Sequence, residues 1–204
     1  MELYHSTTHK EKIISENKLK ANTRFKYIKY LEHMLLMAYS IEDSKGFIDR
    51  YPGSRVHAHF MGIGIYCFDN ILDASSFQSG GDIVQITYSD DNNLVDLDSA
   101  ESLLNIFLLL DEALNSIESK IRDKEAHNGW KALLEILIAC VMDEFKDCQP
   151  AVGLIFYVLN YLDFLQTPDL IARSFEIKRY SEEDNTVLHR YYLISNVDKI
   201  EKIC

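Results

Sequence analysis

The stretch GIGIYCFDNILDASSF, residues 62 to 77, decides the fold of this chain. Its glycines leave the backbone adaptable ahead of a short apolar run, and the run ends at an Asp-Asn pair that is typical of turns. The pattern predicts a strand around Tyr66, then a turn, then a short helical turn that carries a second aromatic residue, Phe77. An aromatic side chain placed beside a turn raises the question of what its ring contacts.

A second stretch, LYHSTT at residues 3 to 8, raises the same question for His5. ELYH alternates polar and apolar residues like a short strand, and residues 8 to 11 match the S/T-x-x-E capping box that opens helices. A helix is therefore expected from about residue 9. His5, Ser6 and Thr7 would then lie at a strand-to-helix turn, where side chains and backbone N–H groups can face a ligand.

The remaining periodicity predicts an α+β protein with a helical middle. Helical spacing runs through residues 27–42, 98–121 (with Asp98 as the N-cap), 129–145 and 151–165, and Thr167-Pro168 is expected to open a further helix. DIVQITYS (82–89) and TVLHRYYLIS (186–195) have the composition of strands. We expect one domain over residues 1–204, with helical insertions at about 27–58 and 99–175.

Composition limits the class of function. At 204 residues and 47% hydrophobic content the chain can form one buried core, and its net charge of −11 argues against a protein that grips nucleic-acid phosphates through a broad basic face. Residues 1–30 nevertheless hold seven basic and three acidic residues. This excess is either a solvated helix face or a local site for a phosphate-bearing ligand.

The sequence also bears on the cellular location of the protein and on metal binding. The four cysteines form no C-x-x-C pair, which favours free thiols in a reducing cytoplasm. The charged first residues do not resemble a signal peptide, and the apolar runs are shorter than the ~20 residues of a membrane span, so no membrane partner is expected. His57 and His59 share a strand face without a third ligand, so no metal is predicted.

The two opening stretches suggest one chemistry if they reach a common cleft. An aromatic face attracts a flat cation such as oxidised nicotinamide by ~0.5 to 2 kcal/mol, and Phe77, eleven residues after Tyr66, would close a sandwich around it. His5 would bind a ribose hydroxyl, and the backbone beside Ser6 would pair with the carboxamide. The arrangement predicts a site that breaks the nicotinamide–ribose bond of NAD.

The same motifs, in the same order, resemble the ADP-ribosyltransferase superfamily on the branch of diphtheria toxin and the poly-ADP-ribose polymerases. YHST (4–7), GIGIYCFDNILDASSF (62–77) and DIVQITYSDDNNLVDLD (82–98) carry the resemblance. It implies the split β-sheet core of that superfamily, interrupted here by a helical insertion, with NAD as co-substrate. The site residues it implies are His5 for the ribose, Ser6, Thr7 and Ala74 on the carboxamide side, and Tyr66 and Phe77 around the nicotinamide.

The sequence departs from the family at three positions. Ser6 replaces a glycine, and Ala74 stands where the polymerases have a serine that binds the carboxamide. HRYYLISNVDKIEKI (189–203) is similar to the family's last strand, but His189 or Arg190 occupies the position of the catalytic glutamate. We therefore expect Arg190 to contact a phosphate or the acceptor, and Glu183 to substitute for the acid if the loop before the strand folds into the cleft.

The resemblance implies an NAD-dependent mono-ADP-ribosyltransferase, because family members without the glutamate transfer a single ADP-ribose or are inactive. The acceptor would be a macromolecule, protein or nucleic acid. A cytoplasmic toxin or defence effector fits such a small domain, and this role admits an antitoxin or regulatory partner. Two alternatives stay open: a binding module that kept the NAD cleft and lost turnover, and an NAD-dependent RNA 2′-phosphotransferase, which would need a basic, Arg-lined cleft.

Overall fold

The structure is a computed structural model that describes residues 1–21, 23–40, 50–57, 59–77, 80–89, 93–146, 148–178 and 186–204. The chain divides into two compact units. We call Met1–Asn22, Gly64–Asp98 and Pro168–Cys204 the sheet unit, and Thr23–Ile63 and Ser99–Thr167 the helical unit. The described parts contain seven strands and six α-helices, which confirms the predicted α+β class.

The seven strands form one sheet in the sheet unit. They are β1 (Glu2–Thr7), β2 (Ile65–Phe68), β3 (Asp82–Tyr88), β4 (Leu94–Asp96), β5 (Leu170–Lys178), β6 (Thr186–Ile194) and β7 (Ile200–Ile203). Their order across the sheet is β4-β5-β6-β2-β1-β3-β7. Every pairing is antiparallel except that of β4 with β5. The predicted strands β1, β2, β3 and β6 are confirmed; β4, β5 and β7 were not predicted.

Six helices accompany the sheet: α1 (Lys10–Glu16), α2 (Tyr27–Met37), α3 (Ile71–Phe77), α4 (Ala100–Lys120), α5 (Lys124–Met142) and α6 (Ala151–Tyr161). Of these, α1 and α3 belong to the sheet unit, and the other four belong to the helical unit. A 3₁₀ turn, Ala38–Ser40, follows α2, and another, Val197–Lys199, precedes β7. None of the helices in the described ranges is long and apolar enough to cross a bilayer.

The sheet has two faces, which we name after the helices that cover them. The α1 face carries the apolar core of Leu3, Ile65, Cys67, Val84, Ile86, Tyr88, Leu170, Ala172, Tyr192, Ile194 and Ile203, with Leu19 and Ile13 packed on it. On the α3 face, the ring of Phe77 lies 5.4 Å from that of Phe68 and 6.0 Å from that of Tyr191. Side chains alternate between these faces along each strand, so the face of every site residue follows from the pairing.

Two predicted helix caps are wrong. The N-cap of α1 is His9, without a side-chain cap bond, and the His9 N–H donates instead to Thr7 Oγ1 at 3.1 Å. The capping box at residues 8 to 11 is therefore not formed. Ser99, and not Asp98, is the N-cap of α4, because the Asp98 carboxylate accepts hydrogen bonds from Ser174.

The predicted turn at His5, Ser6 and Thr7 is also wrong, because β1 continues through Thr7. Ser6 pairs with Ile83 and Thr7 with Asp82, so β3 continues the ladder to the end of β1. A strand with a paired neighbour satisfies its backbone groups in the ladder, and this outweighs the local preference for a helix start.

The second predicted insertion ends earlier than expected. The helix predicted to open at Thr167-Pro168 is wrong, since β5 begins at Leu170 and pairs with β6 over nine residues. The helical unit accordingly ends at Thr167. Pairing with a strand far along the chain overrode the local N-cap pattern.

Within the helical unit, two tyrosines form part of the buried face of α2. Ile28 is 40% exposed, while Tyr27 and Tyr30 are buried and pack edge-on against Phe25 at ring distances of 4.9 and 5.3 Å. Aromatic packing therefore sets the orientation of α2. In this unit and the sheet unit all four cysteines are free, as predicted: Cys67, Cys140 and Cys148 are buried and Cys204 is exposed.

Candidate functional site

The sheet forks between β1 and β2, next to the residues that the motifs singled out. β1 pairs with β3 at all six of its positions, but its pairing with β2 consists of one position, Tyr4 opposite Phe68. Beyond Tyr4, therefore, the backbone ladder given for the described part of β1 is with β3. We call the stretches of β1 and β2 beyond this pair, at His5 to Thr7 and Ile65 to Tyr66, the fork.

His5 bridges the fork with its side chain. Its Nδ1 donates a hydrogen bond of 2.8 Å to the carbonyl oxygen of Tyr66. Burial lowers the pKa of His5, and the bond to Tyr66 opposes this shift more weakly. The imidazole is thereby favoured in its neutral form with the proton on Nδ1, which leaves Nε2 as an acceptor for a hydroxyl donor.

The side chains of His5 and Tyr66 lie on opposite faces of the sheet. His5 pairs with Val84 and shares the α1 face with Leu3. Ile65 and Cys67 also belong to that face, so Tyr66, between them, projects to the α3 face. The two residues thus meet through the imidazole of His5 and the backbone of Tyr66, while the ring of Tyr66 projects to the other face of the sheet.

The carboxamide-side residues lie at the end of β1 and under α3. Ser6 is on the α3 face, 5% exposed, and its Oγ has no hydrogen-bond partner among the described residues. Thr7 is buried and its Oγ1 is used by the His9 N–H. Ala74, in α3, is fully buried.

Phe77 is half exposed, at 52%. Its described ring contacts are with Phe68 and Tyr191, whose side chains lie on the α3 face, the face to which Tyr66 projects. Burial is the main cause that raises the pKa of Tyr191 to about 12, with the Asp73 carboxylate as a second cause. The phenol of Tyr191 therefore stays protonated around neutral pH.

Arg190 is engaged by two carboxylates. Its Nη2 lies 2.7 Å from Asp96 Oδ2 and its Nη1 2.7 Å from Asp98 Oδ2, and its Nε donates to the Tyr192 hydroxyl at 3.0 Å. The side chain of Arg190 starts on β6 and crosses the neighbouring strand β5, so that its guanidinium reaches the end of β4. An arginine held on three sides in this way is already committed to intramolecular partners, in contrast to the predicted phosphate or acceptor contact.

The cluster of Arg190, Asp96 and Asp98 carries a net negative charge on the α1 face. Asp98 also accepts from the Ser174 N–H and hydroxyl, which ties β5 to β6 and to the chain after β4. The Tyr192 hydroxyl extends the cluster toward Asp69 Oδ2, at 3.5 Å. Two carboxylates against one guanidinium leave an excess negative charge beside Arg190.

His189 and Glu183, the other two residues that the sequence analysis linked to the catalytic acid, do not belong to this cluster. His189 projects to the α3 face, is 3% exposed, and places Nδ1 2.7 Å from Asp73 Oδ1 in α3. It is thus separated from Arg190 by the thickness of the sheet. Glu183 lies outside the residues that the structure describes.

Sequence reasoning did not identify Asp96 and Asp98, the two carboxylates that contact Arg190, as site residues. Their i,i+2 spacing at the end of a short apolar run is the pattern that could have shown them as a pair on one face of a strand. Comparison of the chain with family models, curated proteins and solved structures gave no match.

Proposed function

We propose that this chain is an NAD-dependent mono-ADP-ribosyltransferase built on an ADP-ribosyltransferase-like split sheet. The observation that carries the proposal is the fork, where β1 leaves β2 immediately beside His5 and Tyr66. The three strands that carry the motif residues, β1, β2 and β6, are neighbours in the sheet. We propose that a dinucleotide reaches the sheet at this point, where the ladder between β1 and β2 ends.

The groups at the fork suit the two ends of a nicotinamide riboside. The neutral imidazole of His5 keeps Nε2 as an acceptor for a ribose hydroxyl. On the α3 face, the buried Ser6 Oγ lacks a described partner, and buried hydroxyls are normally hydrogen-bonded. A carboxamide is a ligand that would satisfy it, with the Tyr66 ring beside it to contact the cationic nicotinamide.

Phe77 supports the same placement. Its exposed ring lies on the α3 face, and an aromatic ring that is half in water gains by covering a flat ligand. We propose that nicotinamide binds on this side of the fork with Tyr66 and Phe77 as its aromatic contacts. Ala74 offers no hydrogen bond to the carboxamide, so Ser6 is the polar side chain for this end.

The charge of the cluster of Arg190, Asp96 and Asp98 enters the proposed reaction at the cleavage step. Breaking the glycosidic bond releases nicotinamide and builds positive charge on the ribose, which a carboxylate stabilises. In this chain the excess negative charge of the cluster of Arg190, Asp96 and Asp98 supplies that stabilisation at longer range. The acceptor nucleophile then forms the new bond to the ribose carbon.

The engaged Arg190 also supports a second candidate, an NAD-binding module without turnover. A guanidinium at the position of the acid repels the developing positive charge, and two carboxylates hold it there. Both candidates predict NAD binding at the fork, and only the enzyme predicts release of nicotinamide.

Incubation with NAD separates the two candidates. The transferase predicts nicotinamide release by the wild-type chain and a loss of at least about 100-fold in His5→Ala. His9→Ala, an exposed histidine just after the same strand, is the matched control and should retain activity. NAD binding without release would leave the binding module, and neither binding nor release would refute both.

Expression of the chain in a host cell tests which molecule accepts the ADP-ribose. We propose a macromolecular target and an effector role, as toxin or defence protein, in the cytoplasm. Mass spectrometry of host macromolecules should find ADP-ribose on one class of target with the wild-type chain and not with His5→Ala. Toxicity that is the same for both chains would contradict an effector role that depends on this site.

A further inference from the structure

A cavity of about 850 Å³ lies in the helical unit, between α2 and the first turns of α5. Its size is within the range of sites for small organic molecules. The apolar part of its lining includes Leu35 and Leu36 of α2 and Trp130 of α5. Nothing in the proposed reaction at the fork uses these residues.

Close packing beside the cavity fixes its position. A Cβ added at Gly129 would lie 3.3 Å from the carbonyl oxygen of Leu35, so α5 approaches the α2 backbone closely at this point. Trp130, the next residue, stacks on Tyr161 at 5.7 Å and 18°. The indole therefore belongs to a packed wall, while residues N-terminal to it in α5 form the rim.

The rim is acidic. Glu32, Asp123 and Glu125 line the cavity, and the lining residues that the structure describes include no lysine or arginine. Asp123 caps α5 by accepting from the Ala126 N–H, and Glu32 pairs on its exposed side with Lys29 at 2.8 Å. The start of α5 carries roughly half a positive charge, which two adjacent carboxylates outweigh, so the rim remains negative.

The described residues leave part of the apolar surface at the rim exposed. Leu36 is 81% exposed, which is unusual for a leucine that borders a concave apolar surface. An indole is the best aromatic partner for a cation, and carboxylates attract the same charge. Apolar walls, an indole and an acidic rim together complement a molecule with an apolar body and a positive head.

We propose that this cavity binds a small organic cation, an ammonium or guanidinium group carried on an aliphatic or aromatic body. The site is independent of the NAD chemistry proposed for the fork, since each rests on residues of a different unit. Charge complementarity selects the head, and the apolar walls select the body.

Trp130 reports occupancy directly, because it is the only tryptophan in the chain. Its fluorescence is followed while hexyltrimethylammonium is added. Hexanesulfonate has a similar apolar body with the opposite charge, and tetramethylammonium has the charge without the body. We expect a saturable change with hexyltrimethylammonium at an affinity at least about tenfold tighter than with either control.

Two variants test the residues, with a matched control on the same helix. Glu125→Gln and Leu36→Asn should each weaken hexyltrimethylammonium binding at least about threefold. Glu135→Gln removes an exposed carboxylate of α5 outside the lining and should change nothing. Equal affinity for hexanesulfonate, no saturable response, or equal effects of Glu125→Gln and Glu135→Gln would overturn the proposal.

Discussion

His5 joins the chemistry of the site to the stability of the sheet. Its imidazole replaces ladder bonds that β1 and β2 do not make, by donating to the Tyr66 carbonyl. Burial holds the pKa of His5 below its ordinary value of 6.5. The unfolded chain therefore binds a proton at this residue more readily than the folded chain, and the two states differ in charge over a window of pH below 6.5.

This difference predicts how stability depends on pH. The contribution of neutral His5 is complete above pH 6.5 and is lost as the pH falls from there through the lowered folded pKa. His5→Asn keeps a polar side chain without the titration, so the unfolding free energy should fall less between about pH 7.5 and pH 5. Urea unfolding at the two pH values measures the unfolding free energy of the wild type, His5→Asn and the control His9→Asn. An equal fall of the unfolding free energy in the wild type and His5→Asn would contradict the prediction.

The sequence predicted some site residues and not others for a physical reason. His5, Tyr66 and Phe77 stand in local patterns of strand, turn and aromatic spacing, which short motifs carry. Asp98 and Arg190 are 92 positions apart in the chain, and their contact depends on β4 and β6 both pairing with β5. A local pattern contains no information on that pairing.

At the scale of elements, Gly64 allows β2 to approach β6. A Cβ at this position would lie 2.5 Å from the Ile194 carbonyl oxygen and 2.7 Å from Leu193 Cδ1. Because backbone on both sides must move, Gly64→Ala should lower the unfolding free energy by about 1 to 3 kcal/mol. Circular dichroism during denaturant unfolding measures the change.

Gly129→Ala is the control for Gly64→Ala. It adds the same methyl group in a helix, 3.3 Å from its nearest neighbour, where the gain in helix propensity of up to about 1 kcal/mol offsets the tighter contact. Its stability should stay within about 1 kcal/mol of the wild type. Equal losses in the two variants would contradict the assigned role of Gly64.

The ion pairs of Arg190 connect three strands. Arg190→Met keeps the apolar stem, and Asp96→Asn keeps the shape of its partner, so a double-mutant cycle isolates their charge interaction. The pair is partly exposed, with side chains 29% and 33% accessible, and we expect a coupling free energy of about 1 kcal/mol. A coupling below about 0.3 kcal/mol would show that the pair does not hold β4 to β6.

The sequence predicts the helices and strands whose apolar residues recur at a regular spacing. It does not predict the strands whose structure depends on pairing with a distant part of the chain. α4 and α6 follow apolar residues at helical spacing, and β3 follows its β-branched residues. β5 contains Arg173 and Glu176 and follows Thr167-Pro168, a local pattern that predicts the start of a helix. Nine positions of pairing with β6 decide its structure, and the pairing is a property of the folded chain.

At the scale of the whole molecule, the proposed enzyme should attach one ADP-ribose per site. Chain elongation needs an acid to orient the incoming ribose hydroxyl, and our proposal assigns that position to Arg190, whose charge is paired to Asp96 and Asp98. Gel analysis of modified acceptor, with and without a hydrolase that trims polymers to single units, measures product length. Polymeric product would refute single transfer.

The most direct test of the account is to map where NAD binds, by amide chemical-shift changes in the isotope-labelled chain. The account predicts that NAD shifts the amides of β1 from His5 to Thr7, those of β2 around Tyr66, and those of α3, and that His5→Ala weakens these shifts at a given NAD concentration. The cavity in the helical unit should respond to hexyltrimethylammonium and not to NAD. Shifts confined to the helical unit, or no shifts at millimolar NAD, would contradict the assignment of the fork as the NAD site.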